Sequence, residues 1–358
     1  MTPAEQRPIE ALDPKRLRIG LTITVAIGVS VGLVVALATG GQQVLLGILA
    51  LPVGWLALAL ALSALSWLGQ GLGFAALTTR GVRGHLMRMT MAFLGGDFAA
   101  LVTPFGSGGI PVGVYCLTRE GLSTGESSAI IAMHSILTGA FFLVVGIIAA
   151  FVMPMQTRGS EVLVWSGIGA IAVVLVLVVG LAARPQVAAD WLDRTLGRPW
   201  LARLIGNQRA SRLAEAARRE ANRFAEDVHT LTRERPSQLA LSFVGLFLSR
   251  VCLVVCLPVI MYGLGWRGDI GPLMATAVGA MALAIVSPTP GGSGAVEAAT
   301  AALLATQAPA AMAGAATLLW RGVTYYTEVV AGWLAFTRYL AMNPNRVDDE
   351  PGAQAPGR

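Results

Sequence analysis

Charged residues are scarce in this sequence, and their scarcity excludes most classes of soluble protein. Only 13% of the 358 residues are Asp, Glu, Lys or Arg, whereas 55% are hydrophobic and the mean hydropathy is +0.67. A soluble globular domain carries roughly a quarter charged residues. Residues 19–79 contain no charge at all, and this length suffices for two membrane helices of about 20 residues each. The composition therefore predicts a protein with several membrane spans.

Motifs for metals, nucleotides and catalysis are also lacking. The three cysteines, Cys116, Cys252 and Cys256, and the three histidines form no cluster with the spacing of a metal site, so we expect neither metal nor cofactor. The Walker lysine is absent, and the Gly-x-Gly pairs follow no predicted strand, so we expect no ATP site. Because no nucleophile–base pair is evident, the sequence predicts that the protein is not an enzyme.

Basic residues predict the topology. The net charge is +6, and in a membrane protein such an excess normally lies in the cytoplasm, so it does not indicate nucleic-acid binding. Residues 1–18 end in Lys15, Arg16 and Arg18 and are predicted to be a cytoplasmic N-terminal segment. Residues 184–236 are predicted to form a basic, helical linker in the cytoplasm. This linker is either fully solvated or in contact with anionic lipid headgroups. Residues 338–358 predict a disordered cytoplasmic tail. The expected location is the inner (cytoplasmic) membrane, crossed several times, with both termini in the cytoplasm.

Two breaks rich in proline and glycine interrupt apolar segments. The first reads TPFGSGGIPVG at 103–113, and the second reads SPTPGGSGAVEAA at 287–299. Each broken segment is either a full span or a re-entrant hairpin; the short apolar runs favour re-entrant hairpins at 87–118 and 270–306. Together with about six full transmembrane helices they give up to eight or more membrane segments. The predicted fold class is an all-α polytopic membrane protein.

The order of segments predicts an inverted-topology repeat. Residues 19–183 form the first membrane repeat, and 237–337 complete the second. Each half has two helices, a broken hairpin and a long helix, and the two halves start on opposite sides of the membrane. Paired broken segments of this kind indicate a binding site at the membrane midplane. The helices that start after Gly109 and Gly294 present positive N-termini, which suit an anionic group such as a lipid phosphate. One break alone would indicate only a kink.

Five ionisable residues lie within predicted spans, namely Asp97, Arg250, Glu297, Arg321 and Glu328. Each costs at least ~2.5 kcal/mol at the centre of a bilayer, so each is a functional candidate. Two interpretations stay open. The residues form static salt bridges, or they line a polar cavity in which Arg250 and Arg321 hold a phosphate while Glu297 or Asp97 exchanges a proton or counter-ion. Both arginines are expected partners of Glu297, and Glu328, seven residues after Arg321, is expected on the same helical face. His134 could titrate near neutrality, but a lone histidine in a span is more often hydrogen-bonded packing.

The second break and the segment that follows resemble a known family. PTPGGSGAVEAA at 288–299 and LLWRGVTYY at 318–326 are similar to motifs of the lysylphosphatidylglycerol synthase transmembrane-region family, and the similarity covers roughly residues 15–340. That family includes the flippase domain of multiple peptide resistance factor and stand-alone flippase-like proteins, some of them implicated in hopanoid transport. The second motif is matched by Pro290, Gly291, Gly292, Gly294, Glu297, Arg321, Thr324 and Tyr325. The first is matched by Pro104, Gly108, Gly109, Leu117, Arg119 and Gly121.

The first half departs from the family pattern. Relatives often carry a charged residue just after the first Gly-Gly pair, where this sequence has Ile110, and an acid–arginine pair in the next helix, where it has Met133, His134 and Ser135. The resemblance does not extend to the aminoacyl-transferring domain of the bifunctional members, which we expect to be absent. The resemblance therefore implies lipid translocation rather than lipid aminoacylation.

The resulting prediction is an ATP-independent flippase or transporter that moves an anionic phospholipid or a lipid-linked substrate of polyprenyl or hopanoid type across the inner membrane. The expected partners are this lipid, a coupling proton or sodium ion, and a second copy in a homo-oligomer, but no nucleic acid. The alternatives are an ion-coupled small-solute transporter and a membrane scaffold for a lipid-modifying enzyme. The predicted substrate-binding residues are Arg250, Glu297, Arg321, Tyr325, Asp97, Glu328, Pro104, Gly108, Gly109, Pro290, Gly291, Gly292 and Gly294.

Overall fold

The computed structural model describes residues 41–78, 85–152, 158–184 and 236–342, with five isolated positions besides. The described residues are helical and contain no strand. The helices are α1 Gln42–Ala50, α2 Val53–Leu77, α3 Leu86–Leu101, α4 Gly109–Arg119, α5 Thr124–Val152, α6 Arg158–Ala183, α7 Pro236–Gly263, α8 Ile270–Val286, α9 Ala295–Ala305, α10 Ala310–Arg321 and α11 Thr327–Ala341. The predicted N-terminal segment, most of the first span, most of the basic linker and most of the tail lie outside the described residues.

Three of the described helices are long and apolar enough to cross a membrane: Val53–Leu77, Thr124–Ile148 and Pro236–Gly263. The prediction of an all-α membrane protein is confirmed for the described part of the chain. The apolar stretch before the first of these helices is broken at Leu51 and Pro52, where Pro52 caps α2 and separates it from α1. Proline has no N–H and cannot continue a helix from the preceding turn.

Several helices extend beyond the predicted limits. The apolar run at 127–152 predicts a span that starts at Ser127, but α5 begins at Thr124, because the hydroxyl of Ser123 accepts a hydrogen bond of 3.1 Å from the N–H of Glu126. This Ser-x-x-Glu sequence is a helix-start signal that the hydropathy pattern hides. The apolar run at 162–183 predicts the next span, but α6 begins at Arg158. Helix α11 continues to Ala341, four residues into the predicted tail.

The central helix pair, α2 and α7, is in backbone contact. A Cβ atom on Gly69 would lie 2.6 Å from the carbonyl oxygen of Gly245, and a Cβ atom on Gly245 would lie 2.5 Å from the carbonyl oxygen of Gly69. Small residues permit such close approach. In lipid the hydrophobic effect does not drive helices together, so close van der Waals packing of this kind stabilises the pair instead. This pair is the frame against which the two broken segments pack.

Each broken segment folds as a helical hairpin. In the first hairpin, α3 and α4 are joined by a 3₁₀ turn at Pro104–Gly106; in the second, α8 and α9 are joined by a 3₁₀ turn at Pro290–Gly292. The first hairpin packs against α11, where a Cβ on Gly332 would lie 2.6 Å from the carbonyl oxygen of Leu94. The second packs against α10. The final helical segment, α10 and α11 joined by a π-helical turn at Gly322–Tyr326, therefore contacts one hairpin with each half.

The base of the first hairpin is fastened to the end of α11. The hydroxyl of Tyr339 donates to Glu120 Oε1 at 2.8 Å, and Arg119 Nη1 donates to the carbonyl oxygen of Met342 at 3.3 Å. These bonds join residues more than 200 positions apart in the chain. Tyr339 is completely buried, so the last turn of α11 is part of the packed core.

Candidate functional site

The turns of the two hairpins share a backbone conformation. Residues 103–106 read Thr-Pro-Phe-Gly and residues 289–292 read Thr-Pro-Gly-Gly. Phe105 has φ 53° and ψ 19°, and its counterpart Gly291 has φ 56° and ψ 19°. The glycine that follows has φ 66° in the first turn and 71° in the second. Phe105 is the one non-glycine residue at positive φ among the described residues, a conformation that is uncommon for bulky side chains.

The two turns diverge at the next residue. Ser107 has ψ −25° and leads to Gly108, whose N–H donates to Thr103 Oγ1 at 2.8 Å. Ser293 has ψ 132° and leads to Gly294, whose N–H donates instead to Glu297 Oε2 at 2.7 Å. The positive N-terminus of α9 is thus already neutralised by a carboxylate of its own first turn, whereas α4 has no acid in its first turn.

The tips of the hairpins meet. The 3₁₀ turn of each hairpin contacts the 3₁₀ turn of the other, and each also contacts the first helix of the other hairpin, α3 or α8. The hydroxyl of Tyr325, in the π turn, donates to the carbonyl oxygen of Leu101 at 3.3 Å, at the tip of the first hairpin. The turn that contains Pro104 therefore touches the turn that contains Pro290, Gly291 and Gly292, and Gly108, Gly109 and Gly294 follow within three residues of these turns.

The second hairpin is held by a buried ion pair. Arg321 Nε donates to Glu297 Oε1 at 2.7 Å, and Arg321 Nη2 donates to the carbonyl oxygen of Gly291 at 2.9 Å. Both carboxylate oxygens of Glu297 accept hydrogen bonds, because Gly294 supplies the other donor. Glu297 is 1% exposed and Arg321 is 5% exposed. Charge-assisted bonds of this kind offset the cost of burying both ions.

Tyr325 completes this arrangement. The guanidinium carbon of Arg321 lies 4.0 Å from the centre of the Tyr325 ring, a cation–π contact. The ring occupies the space that a Cβ atom on Gly291 would need, so a side chain at Gly291 would collide with it. Glycine at position 291 therefore serves both the positive φ and the close approach of the ring.

A second group of charges takes no part in this ion pair. Arg250 interacts electrostatically with Asp97 and Glu328, and the two carboxyl groups lie within hydrogen-bonding reach of each other. The guanidinium carbon of Arg250 also lies 5.5 Å from the centre of the Phe142 ring. All three charged residues are partly exposed, in contrast to Glu297 and Arg321.

The expected pairing of Glu297 with both arginines is thus wrong for Arg250. The expectation that Arg321 and Glu328 share a helical face also fails, because the π turn at Gly322–Tyr326 separates them. A π turn has i→i+5 hydrogen bonds and inserts an extra residue into the helix, which rotates the residues beyond it. Arg321 therefore faces Glu297, whereas Glu328 faces Asp97.

Sequence reasoning missed two features of this site. The first is the shared hexapeptide of the two breaks: Thr-Pro-x-Gly-Ser-Gly occurs at 103–108 and at 289–294, with five of six positions identical, and this identity would have predicted matching turns. The second is the aromatic contact of Phe142, which left no signal because it joins helices distant in sequence. Among the described residues, no group of three or more His, Cys, Asp or Glu side chains is arranged to hold a metal ion.

Comparisons with known proteins place the chain in a family. Residues 21–332 match the family described as the lysylphosphatidylglycerol synthase TM region. A UPF0104 membrane protein of Archaeoglobus fulgidus is 25% identical over 248 residues, which are 69% of this chain and 74% of that protein. No solved structure matches the chain. The family match spans both hairpins, the buried ion pair and the Arg250 cluster, and the chain belongs to the lysylphosphatidylglycerol synthase transmembrane-region family.

Proposed function

We propose that this protein is a flippase-like transporter that moves an anionic lipid between the leaflets of the inner membrane without ATP. The substrate is an anionic phospholipid or a lipid-linked anion. The observation that carries the proposal is the pair of helical hairpins whose turns share one conformation and touch each other, beside a partly exposed cluster of charges. Both termini are assigned to the cytoplasm from the arginine-rich flanks.

We assign the binding of the lipid headgroup to Arg250. This residue lies fourteen positions after the start of α7 and thirteen before its end, about 20 Å from each end at 1.5 Å per residue. That places its guanidinium near the bilayer midplane if α7 crosses the membrane. Arginine is suited to a lipid phosphate because its planar fork donates two parallel hydrogen bonds and stays charged. Asp97 and Glu328 would balance this charge when no lipid is bound.

The second motif has a different proposed role. Glu297 and Arg321 have almost no exposed surface, and their hydrogen bonds join the turn of the second hairpin to α10. We therefore assign Glu297, Arg321 and Tyr325 to holding the turn in shape, rather than to direct contact with the headgroup.

The hairpins are assigned to the two halves of an inverted repeat, each entering from one side of the membrane. The reciprocal contacts of their turns support this assignment, because a two-fold axis in the membrane plane would bring equivalent turns together at the midplane. Pro104, Gly108, Gly109, Pro290, Gly291, Gly292 and Gly294 then form the constriction that a headgroup has to pass.

Reconstituted vesicles test the function. The purified protein is placed in liposomes with a tail-labelled fluorescent phosphatidylglycerol, and the label accessible to an external quencher is followed with time. We expect rapid leaflet exchange, a loss of at least roughly tenfold in Arg250→Ala, which removes a charged contact of ~1.5–3 kcal/mol, and little change in the control Arg267→Ala, an exposed arginine outside the cluster. The function would be refuted if no anionic lipid, phospholipid or polyprenyl phosphate, exchanged faster than in empty liposomes.

A further inference from the structure

Asp97 and Glu328 bring two carboxyl groups together beside Arg250. They lie within hydrogen-bonding reach of each other, and an ionised carboxylate has only acceptor oxygens. A bond between them therefore requires one proton. The pair then carries one negative charge, which Arg250 balances. A cluster with no net charge is the least costly arrangement for three ionisable groups in a bilayer.

The groups that face this pair come from each neighbouring element. Arg250 belongs to α7, His134 to α5 and Tyr325 to the π turn, and each interacts electrostatically with a member of the cluster. Two phenylalanine rings flank His134, with ring centres at 5.0 Å for Phe74 and 6.0 Å for Phe93. Arg250 interacts with the imidazole of His134 and with both carboxyl groups, and the guanidinium of Arg321 lies over the ring of Tyr325.

A series of buried polar atoms lies between the cluster of Asp97, Arg250 and Glu328 and the helix ends that we assign to the cytoplasm. Ser242 Oγ, His134 Nδ1, Ser249 Oγ and Arg250 Nε have no hydrogen-bond partner within the described part of the chain. Ser242 and Ser249 are 0% exposed and His134 is 9% exposed. From the start of their helices they lie about 9 Å (Ser242), 15 Å (His134) and 20 Å (Ser249) along the axis. Buried polar atoms without partners are costly, and ordered water is their usual partner.

Gly73 leaves space for water at the middle of this series. The position that a Cβ atom would take on Gly73 lies 3.4 Å from the carbonyl oxygen of Ser242, 3.5 Å from Ser242 Oγ and 3.9 Å from His134 Nδ1. These are ordinary van der Waals distances, so the space accepts a methyl group without a collision. It is bounded by polar atoms, and a buried water needs two to four such partners.

We propose that Asp97 and Glu328 form a proton-binding site and that one proton accompanies each lipid anion. The proton reaches the site from the cytoplasmic side through waters that lie beside Gly73 and bind to Ser242 and His134. The proposal rests on the transport function proposed above. A second proton on the acid pair gives the cluster a charge of +1, which a lipid phosphate of charge −1 cancels. Release of the lipid on the other side returns the proton to water, and the cluster regains its single proton and zero charge.

A pH gradient across the vesicle membrane tests the coupling. Lipid and proton move together without net charge, so a gradient of one pH unit should enrich the labelled anionic lipid up to about tenfold in the leaflet on the alkaline side, since one pH unit is worth 1.36 kcal/mol per proton. A potassium diffusion potential set with valinomycin should leave the distribution unchanged. The variants Asp97→Asn and Glu328→Gln, which keep the shape of the side chains, should abolish the enrichment.

A separate variant tests the route by which protons reach the acid pair. Gly73→Ala should fold as the wild type, but its methyl group should displace the water from the route. Under an imposed pH gradient with the acidic side outside, the vesicle interior should then acidify at least roughly fivefold more slowly, as read with an internal pH dye. The matched control Gly279→Ala, on a helix surface with no atom within 4 Å of the new methyl group, should behave as the wild type. Equal acidification in Gly73→Ala and wild type would overturn the route. Leaflet exchange that ignores the pH gradient would overturn proton coupling and leave the transport function standing, whereas no exchange at all would overturn both.

Discussion

Removal of the Arg321 guanidinium is the sharpest perturbation of the second hairpin. Arg321→Ala deletes the donors to Glu297 Oε1 and to the carbonyl oxygen of Gly291 in one step. It leaves the Glu297 carboxylate, which is 1% exposed, with the N–H of Gly294 as its one remaining donor among the described residues. The opposite change, Glu297→Ala, leaves a buried guanidinium without its counter-ion.

The structure sets the size of the expected effect. Hydrogen bonds to charged groups contribute about 1.5–3 kcal/mol each, and Arg321→Ala removes two of them. The loss of one partner from a buried ion pair costs about 3–5 kcal/mol. Each single variant should therefore lose about 3–5 kcal/mol of unfolding free energy. The double variant should lose about 2–3 kcal/mol less than the sum of the two, because the second change removes the charge that the first left unpaired.

Reversible unfolding in mixed micelles gives the unfolding free energies of the wild type, the two single variants and the double variant. Leaflet exchange measured on the same samples separates a structural role from a direct one. Arg267→Ala, the exposed control, should change the unfolding free energy by less than about 0.5 kcal/mol. The reasoning would be refuted if the two single variants were as stable as the wild type yet did not transport, because the pair would then act on the substrate and not on the turn.

Three further changes follow from the same contacts. Gly291→Ala should destabilise by at least about 1–2 kcal/mol from its positive φ alone, and its methyl group should displace the Tyr325 ring, read as lost tyrosine fluorescence anisotropy; unchanged stability would contradict the described turn. Tyr325→Phe should cost about 0.5–1.5 kcal/mol by removing the bond to Leu101 while the ring stays over its arginine, and a large loss of exchange at normal stability would contradict its role in holding the turn. Gly245→Ala should cost about 1–3 kcal/mol through overpacking against Gly69, and normal stability in thermal unfolding would refute the close helix contact.

Much of the site was visible in local sequence. The Pro/Gly breaks predicted the places where the two hairpins turn, because proline removes a helix hydrogen bond and glycine permits positive φ. The prediction that Glu297 and Arg321 belong together is confirmed by their 2.7 Å contact. The pairing of Arg250 was not visible, because its partners Asp97 and Glu328 lie on helices more than 70 residues away in the chain, in both directions.

Local sequence is enough to predict that the chain is helical, that it lies in a membrane and where the two hairpins turn. Hydropathy, charge and backbone freedom are properties of consecutive residues, so they can be read without a fold. Tertiary structure decided which charges meet. The π turn at Gly322–Tyr326 rotates Glu328 away from Arg321, and the packing of each half of that segment against a different hairpin divides five charges into a buried ion pair and a partly exposed triad. Such a division depends on helix phase and on long-range contacts, which no local pattern records.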